Sequence, residues 1–184
     1  WRIAQTQALL EEHFESARTF ELASDSYKEA SETIPQLKNF YQDYASYLQA
    51  WSEIQKAKHH HQRQEHNLAR DHFARAAQMH VSLKRWGYMA STYSAWSEIE
   101  NAEELSRIER SDDAFAAFNN AAKLFSDSKN SLETELHRIE DPNERQMVSD
   151  VIEAAGPRSE FCGARKVIEE ARILDRKGEH QLSS

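Results

Sequence analysis

The densest set of metal-binding side chains in this chain is His59-His60-His61, followed by Glu65 and His66. His61 and Glu65 stand four apart, so they share a face if the helix persists, and imidazole with carboxylate is a zinc-type donor set. Consecutive histidines, however, point in different directions around a helix and cannot converge on one ion. Together with Lys56, Lys58 and Arg63 they sit near the end of a long helix, where positive groups meet the negative end of the macrodipole. The sequence therefore predicts a solvated, dipole-complementing helix end and no metal site.

Other chemistries leave fewer traces. There is no Gly-rich phosphate loop, no Gly-x-Ser-x-Gly elbow and no His-Glu-x-x-His, each of which must occupy contiguous sequence for mechanical reasons. Cys162, in Phe161-Cys162-Gly163-Ala164-Arg165, could be activated by Arg165, but a lone Cys beside Phe on an amphipathic helix is usually buried and inert. The acid pairs Glu103/Glu104 and Glu169/Glu170 lie beside Arg and Lys and read as solvated helix faces. No enzyme activity, catalytic residue or cofactor is expected.

Charge is distributed unevenly along the 184 residues, whose net charge is −8. Residues 1–55 hold four basic against nine acidic side chains, whereas residues 56–85 hold seven basic (Lys56, Lys58, Arg63, Arg70, Arg75, Lys84 and Arg85) against two acidic. A basic segment in an acidic chain attracts an anionic partner, nucleic acid included, unless acidic neighbours dock against it. Interleaved exposed aromatics and a wider basic stripe, which a nucleic-acid groove would add, are missing from the sequence.

The elements that must position these groups are helices. Four Gly and three Pro are too few for a sheet protein. Ala-Trp-Ser-Glu-Ile occurs at Ala50 to Ile54 and again at Ala95 to Ile99, and Ala69, Phe73, Ala76 and Ala77 recur as Ala114, Phe118, Ala121 and Ala122. A fixed offset of this size marks arrays whose units bury their apolar faces against neighbours. Tyr44, Tyr47, Leu48, Trp51 and Ile54, and then Met89, Tyr93, Trp96 and Ile99, form one-sided helical stripes that predict burial of both tryptophans, with Trp1 and Trp86 left exposed. Asn67 and Ser111-Asp112-Asp113 read as N-caps of the shorter helices. Short polar connections predict antiparallel neighbours.

An earlier copy reads as Ala23, Tyr27 and Ala30. A later one reads as Ile168, Ala171, Leu174 and Arg176, matching Ile99, Ala102, Leu105 and Arg107. Between them an insertion from Asp141-Pro142 to Gly156-Pro157 predicts an extra short helix, Glu144 to Ala155, broken at each end.

Alanine, aromatic and alanine at intervals of four and three, with Trp and an aliphatic three apart on the preceding helix, resembles the tetratricopeptide repeat. The residues are Ala69/Phe73/Ala76, Ala114/Phe118/Ala121, Trp51/Ile54 and Trp96/Ile99, with Pro35 where that family often ends its second helix. The period of 45 exceeds the family's 34, and Gln55, Glu100, Lys58 and Glu103 replace its small and aromatic residues. Phe161 to His180 is also similar to a segment of uncharacterised, chiefly archaeal, helical-repeat proteins. The resemblance implies an all-α, short right-handed α-solenoid of antiparallel helix hairpins. Its units are about 1–39, 40–84 and 85–130, with an insertion at 131–160 and a partial unit at 161–184, all within one domain.

Such an array implies binding on the concave face lined by first helices. The matching positions are Gln49, Ser52, Lys56 and His59 in one unit and Ser94, Ser97, Asn101 and Glu104 in the next, all polar and away from the apolar stripes. A polar groove with one basic end suits a polar or acidic peptide, and the lack of a second Lys or Arg argues against a clamp for a terminal carboxylate. The expected function is a protein-interaction scaffold. Nucleic-acid binding through residues 56–85 and a structural or self-assembling role remain alternatives. No apolar run is long enough for a bilayer, and a single cysteine leaves the cytoplasm as default compartment. Trp1 at the start, and a final Gly178 to Ser184 that reads as a connection, suggest a piece of a longer array. Its last stripe would then be covered by the Glu144 to Ala155 helix or by a second copy in a homodimer.

Overall fold

A computed structural model describes the backbone of residues 2–182 and the side chains of residues 2–178. Seven helices account for it: α1 (Arg2–Leu9), α2 (His13–Thr33), α3 (Lys38–Gln62), α4 (His66–Ser82), α5 (Ala90–Arg107), α6 (Ser111–Leu136) and α7 (Pro142–Leu182). Short 3₁₀ turns, Pro35–Leu37 and Gly87–Met89, precede α3 and α5. Among the described residues there is no strand, and no helix is long and apolar enough to cross a membrane.

One turn occurs three times. Glu11, Gln64 and Glu109 adopt left-handed backbone with φ of 60°, 58° and 62°. After each, the next N–H reaches back five residues: Glu12 to the Gln7 carbonyl, Glu65 to His60 and Arg110 to Leu105. The left-handed residues themselves donate to the Ala8, His61 and Ser106 carbonyls. This Schellman pattern satisfies the last carbonyls of α1, α3 and α5 and launches α2, α4 and α6. The N-cap positions are thus Glu65 and Arg110, neither making a side-chain cap. Asn67 and Ser111, expected as caps, lie inside the first turns. Asp112 and Asp113 remain at the positive end of the α6 dipole, where they are favourable.

The chain divides into two compact units, residues 1–93 and 94–184, with the division inside α5. In the first unit α2 and α3 run antiparallel, as partners rise along one and fall along the other: His13 with Gln55, Ser24 with Ala45, and Tyr27 with Tyr41. Helix α4 returns along the opposite side of α3, with Tyr47 near His80 and Glu53 bonded to His72. Phe20 and Leu48 are fully buried with Ala4, and Trp51 packs partly buried against them. Tyr47 stacks on Trp86 at 4.1 Å. Trp86, expected to face solvent, is buried because the 3₁₀ turn after it folds its ring back onto α3. Trp1 lies outside the described residues.

The turns correct the reading of the first copy. Counted from the left-handed residue, Phe73 and Phe118 correspond to Phe20, not to Tyr27, and Ala57 and Ala102 correspond to Ala4. Phe20, Phe73 and Phe118 are all fully buried, whereas Tyr27 is half-buried. The frame is hidden because Ser16 replaces the alanine of Ala69 and Ala114, its hydroxyl donating to the Ala4 carbonyl at 2.8 Å. Helix α2 is four residues longer than α4 and α3 seven longer than α5, while the link between α2 and α3 is three residues shorter than that between α4 and α5, so the first two turns stand 53 apart and the next two 45.

In the second unit α6 runs antiparallel to α7, Ser159 bonding the Ala122 carbonyl and Arg165 covering Phe118. Helix α5 runs parallel to α7, Trp96 meeting Arg158 and Glu103 meeting Arg165. Ala95, Ile99, Phe118, Phe125, Ala155 and Cys162 share the core. Two sequence expectations fail on α7. No break occurs at Gly156-Pro157: Pro157 and the Glu153 whose carbonyl it leaves unbonded are both exposed, so water can take the missing bond. Residues 178–182 are helical as well, not a connection. The Asp141 carboxylate accepts from the Asn143 and Glu144 N–H groups at 2.9 Å and caps the start.

Candidate partner-binding surface

The four α3 positions expected to line a groove are largely engaged inside the first unit. Helix α3 lies between α2 and α4, so it buries two faces over residues 50–57 and not one stripe. Ser52 is consequently fully buried, its hydroxyl meeting no partner among the described residues; its expected exposure was wrong. Lys56 donates to Glu21 at 2.6 Å and to Glu53 at 3.0 Å. The His59 ring lies 5.6 Å from Phe14 and 5.4 Å from His60. Gln49 is half-buried.

The strongest electrostatic feature there is Glu53, whose side chain is only 7% exposed. It accepts from Arg75 Nε at 2.7 Å and pairs with His72 Nδ1 at 2.9 Å, besides Lys56. Burial pushes this carboxyl up, but the hydrogen bonds from His72, Arg75 and Lys56 outweigh it and hold the pKa at about 2. Lys56 loses some proton affinity to burial and gains more from Glu21 and Glu53, ending above the usual lysine range. Nearby, Glu65 pairs with His60 at 2.6 Å and accepts from Arg63 at 2.9 Å, which lowers its pKa.

These pairs dispose of most of the basic segment. Lys56 and Arg75 are neutralised by Glu21 and Glu53, Arg63 by Glu65, and Arg70 by Asp71 at 2.9 Å. Lys58 is drawn in beside His13, where burial lowers the pKa of both. Arg85 lies over the Trp86 ring, 5.1 Å from its centroid. The cover comes largely from acids within the same unit, so charge counting along the chain overstated the local field.

On α5, Ser94, Ser97, Asn101 and Glu104 are all half-buried on one helical face. Glu104 accepts a two-pronged bond from Arg107 at 2.6 and 2.8 Å. Behind this face lies a polar cluster that sequence reading missed. Arg165 donates to Glu103 at 2.7 Å and to the Ser106 hydroxyl at 3.0 Å, and Ser106 donates to Glu169 at 2.6 Å. Arg172 bonds both Ser106 and Glu169. Glu169, expected on a solvated face, is fully buried, because α7 presents every seventh residue to α5 and α6: Val148, Ala155, Cys162 and Glu169. Cys162 is buried as expected, and burial with Glu103 nearby pushes its thiol up to about 11.

Ile168, Ala171 and Leu174, aligned by sequence with buried Ile99 and Ala102 and partly buried Leu105, fall on the opposite side of α7 and are exposed. The same helix as Glu144 to Ala155 carries them, so that segment cannot fold over them. No protein-family model, curated protein or solved structure matches this chain.

Proposed function

We propose that this chain is a tetratricopeptide-like array of helical hairpins that serves as a protein-interaction scaffold. The observation that carries the reading is the turn repeated at Glu11, Gln64 and Glu109, with the same hydrogen bonds and the same fully buried alanine and phenylalanine on either side. Tandem hairpins of one kind build extended surfaces on which function resides. Because Lys56, Arg63, Arg70 and Arg75 are already paired with carboxylates, an acidic peptide and nucleic acid lose much of their attraction, and the docking position proposed is the polar, half-buried α5 face of Ser97, Asn101 and Glu104, which does not depend on positive charge. Cross-linked capture with the full chain as bait tests this. Asn101→Ala with Glu104→Ala should abolish capture of a specific partner and leave thermal unfolding within about 0.5 kcal/mol of wild type. Undiminished capture removes the α5 face from consideration, while a chain that only oligomerises with concentration supports the self-assembling alternative.

A further inference from the structure

Helix α7 carries its charges in an ordered way. Five of its basic side chains are held on the side facing α5 and α6: Arg158 covers the Trp96 ring, Arg165 bonds Glu103, Lys166 reaches Asn119, Arg172 bonds Ser106, and Arg176 reaches the Glu109 carbonyl and Asp112, although Arg172 and Arg176 keep about half of their side chains in solvent. Exposed Lys177 lies on the flank of the outward face, about 120° round the helix from its centre and about 60° from Leu174. That outward face holds Ala164, Val167, Ile168, Ala171 and Leu174, all exposed: Val167 is 60%, Ile168 45% and Leu174 61% exposed. Glu160 and Asp175, both exposed, stand at the two ends of this stripe, roughly 22 Å apart at 1.5 Å per residue.

We infer that the outward face of α7 binds an amphipathic helix of a partner protein, one whose apolar ridge is flanked at each end by basic residues. Ala164 and Ala171 leave shallow hollows between Val167/Ile168 and Leu174, so a partner's larger apolar side chains can seat there with close backbone approach. The terminal acids select the partner's charge. They also disfavour a second copy: the antiparallel pairing that sets Val167 against Ile168, and Ala164 against Ala171, also sets Glu160 against Asp175, acid against acid at both ends. The inference rests on the interaction reading above and deepens it by placing a partner on α7.

A helical peptide of about 18 residues, with a Leu/Ala ridge and Lys at both ends, is the probe, alongside a twin bearing Glu in place of Lys. Fluorescence anisotropy with the full chain should show the Lys peptide binding at least about tenfold more tightly than its twin. Ile168→Glu with Leu174→Glu should weaken the Lys peptide about tenfold with unchanged circular dichroism, since both residues are already exposed. Glu160→Lys with Asp175→Lys should reverse the preference toward the Glu peptide. Equal affinity for the two peptides, or affinity untouched by the α7 variants, overturns the inference. So does a dimer in sedimentation that Ile168→Glu abolishes, since it names a second copy as occupant. Peptide binding lost through Asn101→Ala and Glu104→Ala instead would keep the interaction reading and discard this one, and capture of no partner by either face would discard both.

Discussion

Removing the charge of Glu53 while keeping its shape, by Glu53→Gln, isolates the network that ties α2, α3 and α4 together. A carboxyl lowered from its ordinary 4.5 to about 2 contributes at most about 3 kcal/mol at neutral pH by linkage. Arg75 is 50% exposed, so solvent screens part of that and about 2 kcal/mol is the working figure. Lys56 keeps Glu21 after the substitution and Arg75 stays hydrated, so no orphaned buried cation inflates the loss. The sign follows from the depressed pKa: the stabilisation is complete above the unfolded value of 4.5 and disappears as pH falls toward 2. Urea unfolding of wild type and Glu53→Gln would be followed by tryptophan fluorescence in a Trp96→Phe background, where every remaining tryptophan lies within residues 1–93. We expect a gap of about 2 kcal/mol at pH 7, shrinking to less than half by pH 3. A gap below about 0.5 kcal/mol at pH 7, or one unchanged at pH 3, would refute the assignment of the shift to these hydrogen bonds.

Other outcomes follow from single positions. Gln64→Gly and Glu109→Gly should each stabilise by about 0.5–1 kcal/mol, because a left-handed residue with a Cβ is strained and glycine is not; chemical denaturation that shows a loss would mean the turns are held by something else. Cys162 should resist a thiol reagent until global unfolding, being buried with a pKa pushed up to about 11; rapid labelling of folded protein contradicts the placement. His80, whose burial lowers its pKa to about 4 against the Trp86 carbonyl bond that raises it, costs stability as pH falls from 6.5 toward 4, since the unfolded chain takes up the proton first. His80→Phe, the residue found at the matching Phe125, should flatten that acid limb, and an unaltered pH profile would show that His80 titrates normally.

The helical character and the buried pattern from Ala69 to Phe125 were legible because alanine and phenylalanine at helical spacing have few ways to be satisfied except in a helix interface. The turns were not legible. Glycine is the usual sign of a left-handed residue, and here Glu11, Gln64 and Glu109 take that role, with nothing in their chemistry to announce it. The first copy was read seven residues late because Ser16 satisfies its hydroxyl on a neighbouring carbonyl and so occupies an alanine's place. Helix α7 was misread for a different reason: proline on a solvent-facing side loses a hydrogen bond that water replaces, so Gly156-Pro157 does not stop it. Of the expected surface residues, Lys56 and His59 were placed by their helix but not by their neighbours, since the pairing of Lys56 with Glu21 is a contact between distant segments that no local spacing encodes.

The longer spacing between the first two turns says how this chain tolerates a change of length. The extra residues on α2 and α3 number four and seven, close to one and two whole turns at 3.6 residues each. Extensions of that size lengthen a rod with little rotation, so Phe20 and Leu48 still point at one another, while Tyr41 and Tyr44 on the added stretch of α3 pack against Tyr27, the counterpart of His80 and Phe125, Tyr44 stacking on it at 5.7 Å. Insertion of one or two residues would instead swing everything beyond it by about 100° or 200° and carry the buried face into water. Lengthening between hairpins is thereby quantised by the helix pitch, and the exposed Leu37 and Phe40 mark where one such increment was added.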